Sequence, residues 1–81
     1  MEQITLKLRE AFLLNLKTIM VKKGLSYKEL GDLVGVTKQR ISEIFNNEKK
    51  GISFATVEQF STALGIKETD LVDPNFKNKL K

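Results

Sequence analysis

The sequence predicts an all-α fold, a bundle of five helices, on three observations. Apolar residues recur at three- and four-residue steps in successive segments, most segments open on a capping hydroxyl or close on glycine, and no stretch reads as a strand or a repeat. With 81 residues and 41% apolar content the chain suits one compact domain. No apolar run nears the ~20 residues that span a bilayer, and 30% charged residues beside that apolar share do not describe a disordered tail. Cysteine and histidine are absent, which removes thiolate nucleophiles, disulfides, zinc sites and imidazole acid–base chemistry together. An enzyme is therefore not expected, nor a cofactor, a metal or a small-molecule substrate.

From Thr5 to Lys23, the residues Leu8, Phe12, Leu13, Leu16, Ile19 and Met20 fall on one stripe of an amphipathic first helix. Lys22 and Lys23 suit the negative end of its dipole, and Gly24 stops it. Ser26 and Glu29 form an S-x-x-E capping box with Leu25 and Leu30 in staple positions, so a second helix starts at Tyr27. It carries Leu30, Leu33 and Val34 and ends after about two turns at Gly35. Val36 and Ile41 repeat the staple around Thr37, and a third helix runs from Lys38 to Phe45 or Asn46. After the polar loop Asn46-Asn47-Glu48-Lys49-Lys50-Gly51, Ser53 caps a fourth helix. Its inward face is Phe54, Val57, Phe60, Ala63 and Leu64, and its stop is Gly65. A short fifth helix spans Lys67 to Val72 and is broken by Asp73-Pro74. The expected division is a domain over 1–73 and a basic C-terminal tail over 74–81, in which Phe76 and Leu80 dock either on this domain or on a second copy.

The net charge of +4 would not by itself name a polyanion partner, but its distribution is uneven. Segments 1–23, 24–50, 51–73 and 74–81 carry +3, +1, −3 and +3. One face is thus suited to an anion and another is not. No signal peptide is read at the start, where Lys7, Arg9 and Glu10 interrupt the apolar residues.

The spacing inside 26–46 is narrower than a generic bundle requires. Gly31, a small residue, precedes the turn glycine Gly35 by four, and Ile41 and Ile44 follow at core positions, which describes a helix-turn-helix. Gly24-Leu25-Ser26, Glu29-Leu30-Gly31, Gly35-Val36-Thr37, Ile41-Ser42, Ile44-Phe45-Asn46 and Ala63-Leu64-Gly65-Ile66 with Asp70-Leu71 keep their order and gaps. With these pieces the chain, from Leu16 to Val72, resembles the helix-turn-helix family of phage repressors and Cro proteins, also called the xenobiotic-response-element family. The resemblance implies a lambda-repressor-like five-helix bundle that inserts its third helix into the DNA major groove. Three residues depart from the pattern: Gly31 where alanine is usual, Tyr27 where glutamine is usual, and Lys67 where a serine-like cap is usual. Gly31 is expected to cost about 1 kcal/mol of helix propensity. Tyr27 replaces the family's glutamine contact to phosphate, although a phenol can also donate to a phosphate oxygen.

With Ile41 at the centre of the buried stripe and about 100° per residue, Ile44 and Phe45 flank it while Gln39, Ser42, Glu43 and Asn46 point away. The resemblance implies base-edge contacts at Lys38, Gln39, Ser42 and Glu43. Lysine can donate to guanine, glutamine can pair with adenine, and glutamate can accept from cytosine. Tyr27, Arg40, Asn46, Lys49 and Lys50 are assigned to the phosphate backbone. Plainer readings stand beside these. Glu43 could pair with Arg40 or Lys38, Tyr27 could cover the mouth of the core, and the loop lysines could be solubilising charge. Asp70 and Asp73 are surface and capping residues, since no third ligand accompanies them.

The function expected is a sequence-specific double-stranded DNA-binding transcriptional regulator, repressor- or Cro-like and phage or bacterial in type. It would act as a homodimer on an operator, without a membrane, in the cytoplasm of a bacterial host and with the nucleoid when bound. No sequence is left for a separate sensing or oligomerisation domain. The alternative is a helix-turn-helix protein-interaction module facing an antirepressor or antitoxin-type partner. Against it, the outward surface of the third helix lacks the aromatic or aliphatic anchors that protein interfaces centre on.

Overall fold

The computed structural model describes residues 4–46 and 52–76, and these form five helices in the predicted order. α1 spans Leu6–Lys23, α2 Tyr27–Val34, α3 Lys38–Asn46, α4 Phe54–Leu64 and α5 Glu68–Leu71. The ends lie where local chemistry puts them. Thr5 caps α1 by accepting from the Leu8 N–H, and Gly24 closes it at φ 64°. Ser53 caps α4 by accepting from the Thr56 N–H. α5 is shorter than the segment expected, because Lys67 lies outside it and provides no side-chain cap.

α1 contributes more buried residues than any other helix described. Its Phe12, Leu16 and Ile19 are buried against Leu30 of α2, Ile41 of α3, Phe60 of α4 and Leu71 of α5. Phe12 and Phe60 meet edge to face with centroids 5.5 Å apart. Two polar side chains are buried among the described residues, Arg9 and Asn15. Asn15 is 1% exposed, and its amide donates to the carbonyls of Leu71 at 2.8 Å, Asp73 at 2.9 Å and Asp70 at 3.3 Å. It thereby satisfies the carbonyls at the end of α5, a helix too short to hold itself.

Three features differ from the sequence expectation. Ile4 is buried, and its N–H donates to the Ile52 carbonyl at 2.8 Å, so the segment before α1 is pinned to the segment entering α4. Phe54, expected on the inward face of α4, is 50% exposed: as the first residue of the helix it lies beside the core and not over it. Leu33 is likewise exposed, on the outer side of α2. Beyond Pro74, Phe76 is buried in the core of this same chain; Leu80 lies outside the described residues. Among the described residues, no helix is long and apolar enough to cross a membrane, and no group of acidic side chains could hold a metal ion.

Candidate nucleic-acid interface

The site is built on α2 and α3. Both halves of the capping box form at Ser26: the Glu29 N–H donates to Ser26 Oγ at 3.1 Å, and the Ser26 N–H donates to Glu29 Oε1 at 3.0 Å. Gly35 takes φ 88°, a left-handed conformation costly for other residues, and both it and Val36 donate their N–H groups to the Gly31 carbonyl. Thr37 then caps α3 by accepting from the Arg40 N–H at 3.0 Å.

Gly31 is buried under this turn. A Cβ built on it would lie 2.7 Å from the Val36 carbonyl oxygen and 3.3 Å from the Thr37 backbone. The departure from alanine therefore has a packing reason. The start of α3 crosses α2 more closely than a methyl group would allow, which sets a steric benefit against the propensity cost.

Ile41 and Ile44 anchor α3, at 0% and 6% exposure, and the side chains expected at the interface lie on its remaining surface. Lys38, Gln39, Arg40 and Asn46 are exposed, and Ser42 and Glu43 are half-buried. Two pairs link them. Asn46 Nδ2 donates to Ser42 Oγ at 3.1 Å, one turn back along the outer face. Arg40 Nη1 lies 3.8 Å from Glu43 Oε2, the plainer pairing weighed for that glutamate. With both side chains nearly half exposed, this ion pair contributes little and leaves each partner available. Lys49 and Lys50 lie outside the described residues.

Tyr27 is half-buried on α2, and its ring stacks on that of Phe45, with centroids 5.4 Å apart and planes 2° from parallel. The sequence puts Phe45 only at the flank of the buried stripe and assigns it no part in the site. The available signal is an aromatic at the first position of α2 and another near the end of α3, but 17 intervening residues obscure it.

On α4 and α5 the exposed surface is different in kind. Glu58 of α4 and Glu68 of α5 are exposed, and half-exposed Phe54 lines a shallow cleft with Leu8, Val57 and Val72. The polar cationic face and the acidic apolar face belong to different helices.

Comparison with known proteins agrees with this geometry. A helix-turn-helix family model matches residues 16–71, from the second half of α1 through α5. The chain is 29% identical over 63 residues to the uncharacterized HTH-type transcriptional regulator YozG of Bacillus subtilis (strain 168), covering 78% of this chain and 75% of the relative. No solved structure matches it. A tight glycine turn, a capped second helix and a third helix with a polar outer face, over the span the family model matches, place this chain in the Cro/C1-type helix-turn-helix family of DNA-binding regulators.

Proposed function

We propose that this chain is a sequence-specific double-stranded DNA-binding transcriptional regulator, repressor- or Cro-like, that reads the major groove with α3. The observation that carries the proposal is the anchoring of α3 through Ile41 and Ile44, which leaves Lys38, Gln39, Ser42 and Glu43 on a polar outer surface. Such a surface offers the donors and acceptors that base edges require, with little apolar area to bury against a protein. In this reading Lys38 and Gln39 enter first, at the start of the helix, and Ser42 and Glu43 follow one turn later. Arg40 and Asn46, with the Tyr27 hydroxyl, hold phosphates, joined by Lys49 and Lys50 from the loop. The Arg40–Glu43 pair opens on binding, each group exchanging a weak partner for a stronger one.

One copy presents one reading helix, so the proposed working form is a homodimer on half-sites whose centres lie about 10 bp, or a multiple, apart. The acidic side of α4 and α5 is the proposed dimer face, since there Glu58 and Glu68 are kept from phosphate and Phe54 supplies an apolar peg. No cofactor and no catalytic step belong to this function, and its place is the bacterial cytoplasm, with the nucleoid when bound.

Selection from a randomised duplex pool across a salt series tests the reading. Enrichment of a motif, with affinity falling steeply as salt rises, is the expected result. A pool that enriches nothing, with affinity insensitive to salt, would favour a protein partner such as an antirepressor or antitoxin-type chain. The dimer face is tested separately: Phe54→Ser should shift the sedimenting species toward monomer, and an unchanged oligomeric state would count against it.

A further inference from the structure

We infer that the Tyr27–Phe45 stack fixes the tilt of α3, which makes the Phe45 ring, through Tyr27, a positioning determinant of sequence preference; the inference rests on the DNA reading above. α2 and α3 are pinned to each other at two places. At the turn, the Val36 and Thr37 backbone lies against Gly31, where no methyl group would fit. At the far end, the first side chain of α2 stacks on the penultimate side chain of α3 with nearly parallel rings.

The two pins act on different parts of α3. The Gly31 contact holds the helix start, next to Lys38 and Gln39. Phe45 lies seven residues beyond Lys38, about 10 Å along the axis at 1.5 Å per residue. A change at Phe45 therefore swings Ser42, Glu43 and Asn46 and leaves the first two reading residues nearly in place. There is space for that swing, because Phe45 also lines an open cleft with Leu6, Arg9, Glu10 and Leu13 of α1. A flat ring stacked on a flat ring defines an orientation; an aliphatic side chain of similar bulk fills space without defining one.

The stack also separates two roles at Tyr27. Its hydroxyl is proposed to reach phosphate, a contact that serves every sequence equally, whereas its ring acts through Phe45 on the angle of α3 and so on particular bases.

Phe45→Leu, Tyr27→Leu and Tyr27→Phe, beside the unaltered protein, test this by motif selection and by the ratio of specific to nonspecific affinity at one salt concentration. Thermal melts establish that each variant is folded at the assay temperature. Phe45→Leu and Tyr27→Leu should each lower the ratio about tenfold, the size of one mismatched base pair, with relaxed preference confined to the bases read by Ser42 and Glu43. Tyr27→Phe keeps the stack; its affinity should fall for specific and nonspecific duplexes alike, with ratio and motif unchanged. A wild-type ratio in either leucine variant overturns the inference, and Tyr27→Leu decides it alone should the Phe45 variant not fold. So does a ratio that falls as far in Tyr27→Phe, which would assign the effect to the hydroxyl. If the unaltered protein enriches no motif, the DNA reading fails and this inference with it; if it does and the leucine variants match it, only this inference fails.

Discussion

α3 and α4 are held in the same way and present opposite chemistry. Each buries two side chains, Ile41 and Ile44 in one and Val57 and Phe60 in the other, in the same core cluster. Outward, α3 shows Lys38, Gln39 and Arg40, while α4 shows Glu58 with Phe54 at its first position. The lesson is that the anchoring of a helix and the chemistry it shows outward are separable. The buried pair decides that a helix is there and which way it faces, and the remaining positions decide what it meets.

If the anchors are equivalent, breaking either should unfold the same unit. Phe60→Ala should cost about 4 kcal/mol and Ile41→Ala about 3 kcal/mol, read as denaturant midpoints with a single shared transition. Loss of α3 signal ahead of the rest in Ile41→Ala would show instead that α3 is only loosely coupled to the bundle. Asn15 comes next in size. Its contacts reach from the core to the end of α5, and Asn15→Ala should cost about 2 kcal/mol by removing the donor to the carbonyls of Leu71 and Asp73.

These two cases also mark how far the sequence could be read. The ends of α2, α3 and α4 were legible because their signals are local: Ser26 with Glu29, Gly35, Thr37 and Ser53 each act on backbone within a few residues. The polar face of α3 was legible for a similar reason, since a helix of known phase needs only Ile41 to orient it. Asn15 reaches α5 across more than 50 residues, Ile4 meets Ile52 across nearly as many, and Phe45 finds Tyr27 through tertiary packing. No periodicity encodes such pairings. Phe54 is exposed against the expectation because apolar character implies burial only where a neighbour exists to cover it.

The outer faces are compared by substituting across them. Gln39→Ala should relax preference at one base position by about 1–2 kcal/mol, whereas Glu58→Ala should leave the enriched motif as it was. A motif altered by Glu58→Ala would erase the distinction between the two faces. A smaller effect has a contested sign. Gly31→Ala gains about 1 kcal/mol of helix propensity but sets a methyl group 2.7 Å from the Val36 carbonyl oxygen. Because that neighbour is backbone, the net effect expected is destabilisation by about 1 kcal/mol. A raised melting temperature would mean that the crossing of α2 and α3 relaxes freely. Smallest of all, Glu43→Gln should change stability by less than about 0.5 kcal/mol, since its pair with Arg40 is long and exposed.

The central claim is that one helix face, and not the acidic one, meets DNA. Backbone amide shifts recorded while the enriched duplex is added to the full chain address it most directly. The account predicts saturable shifts that are largest over 38–46 and at Tyr27, with α4 and α5 changing only where they touch α3 or a second copy. Shifts centred on Glu58 and Glu68 with 38–46 unmoved, or none that saturate, would contradict it.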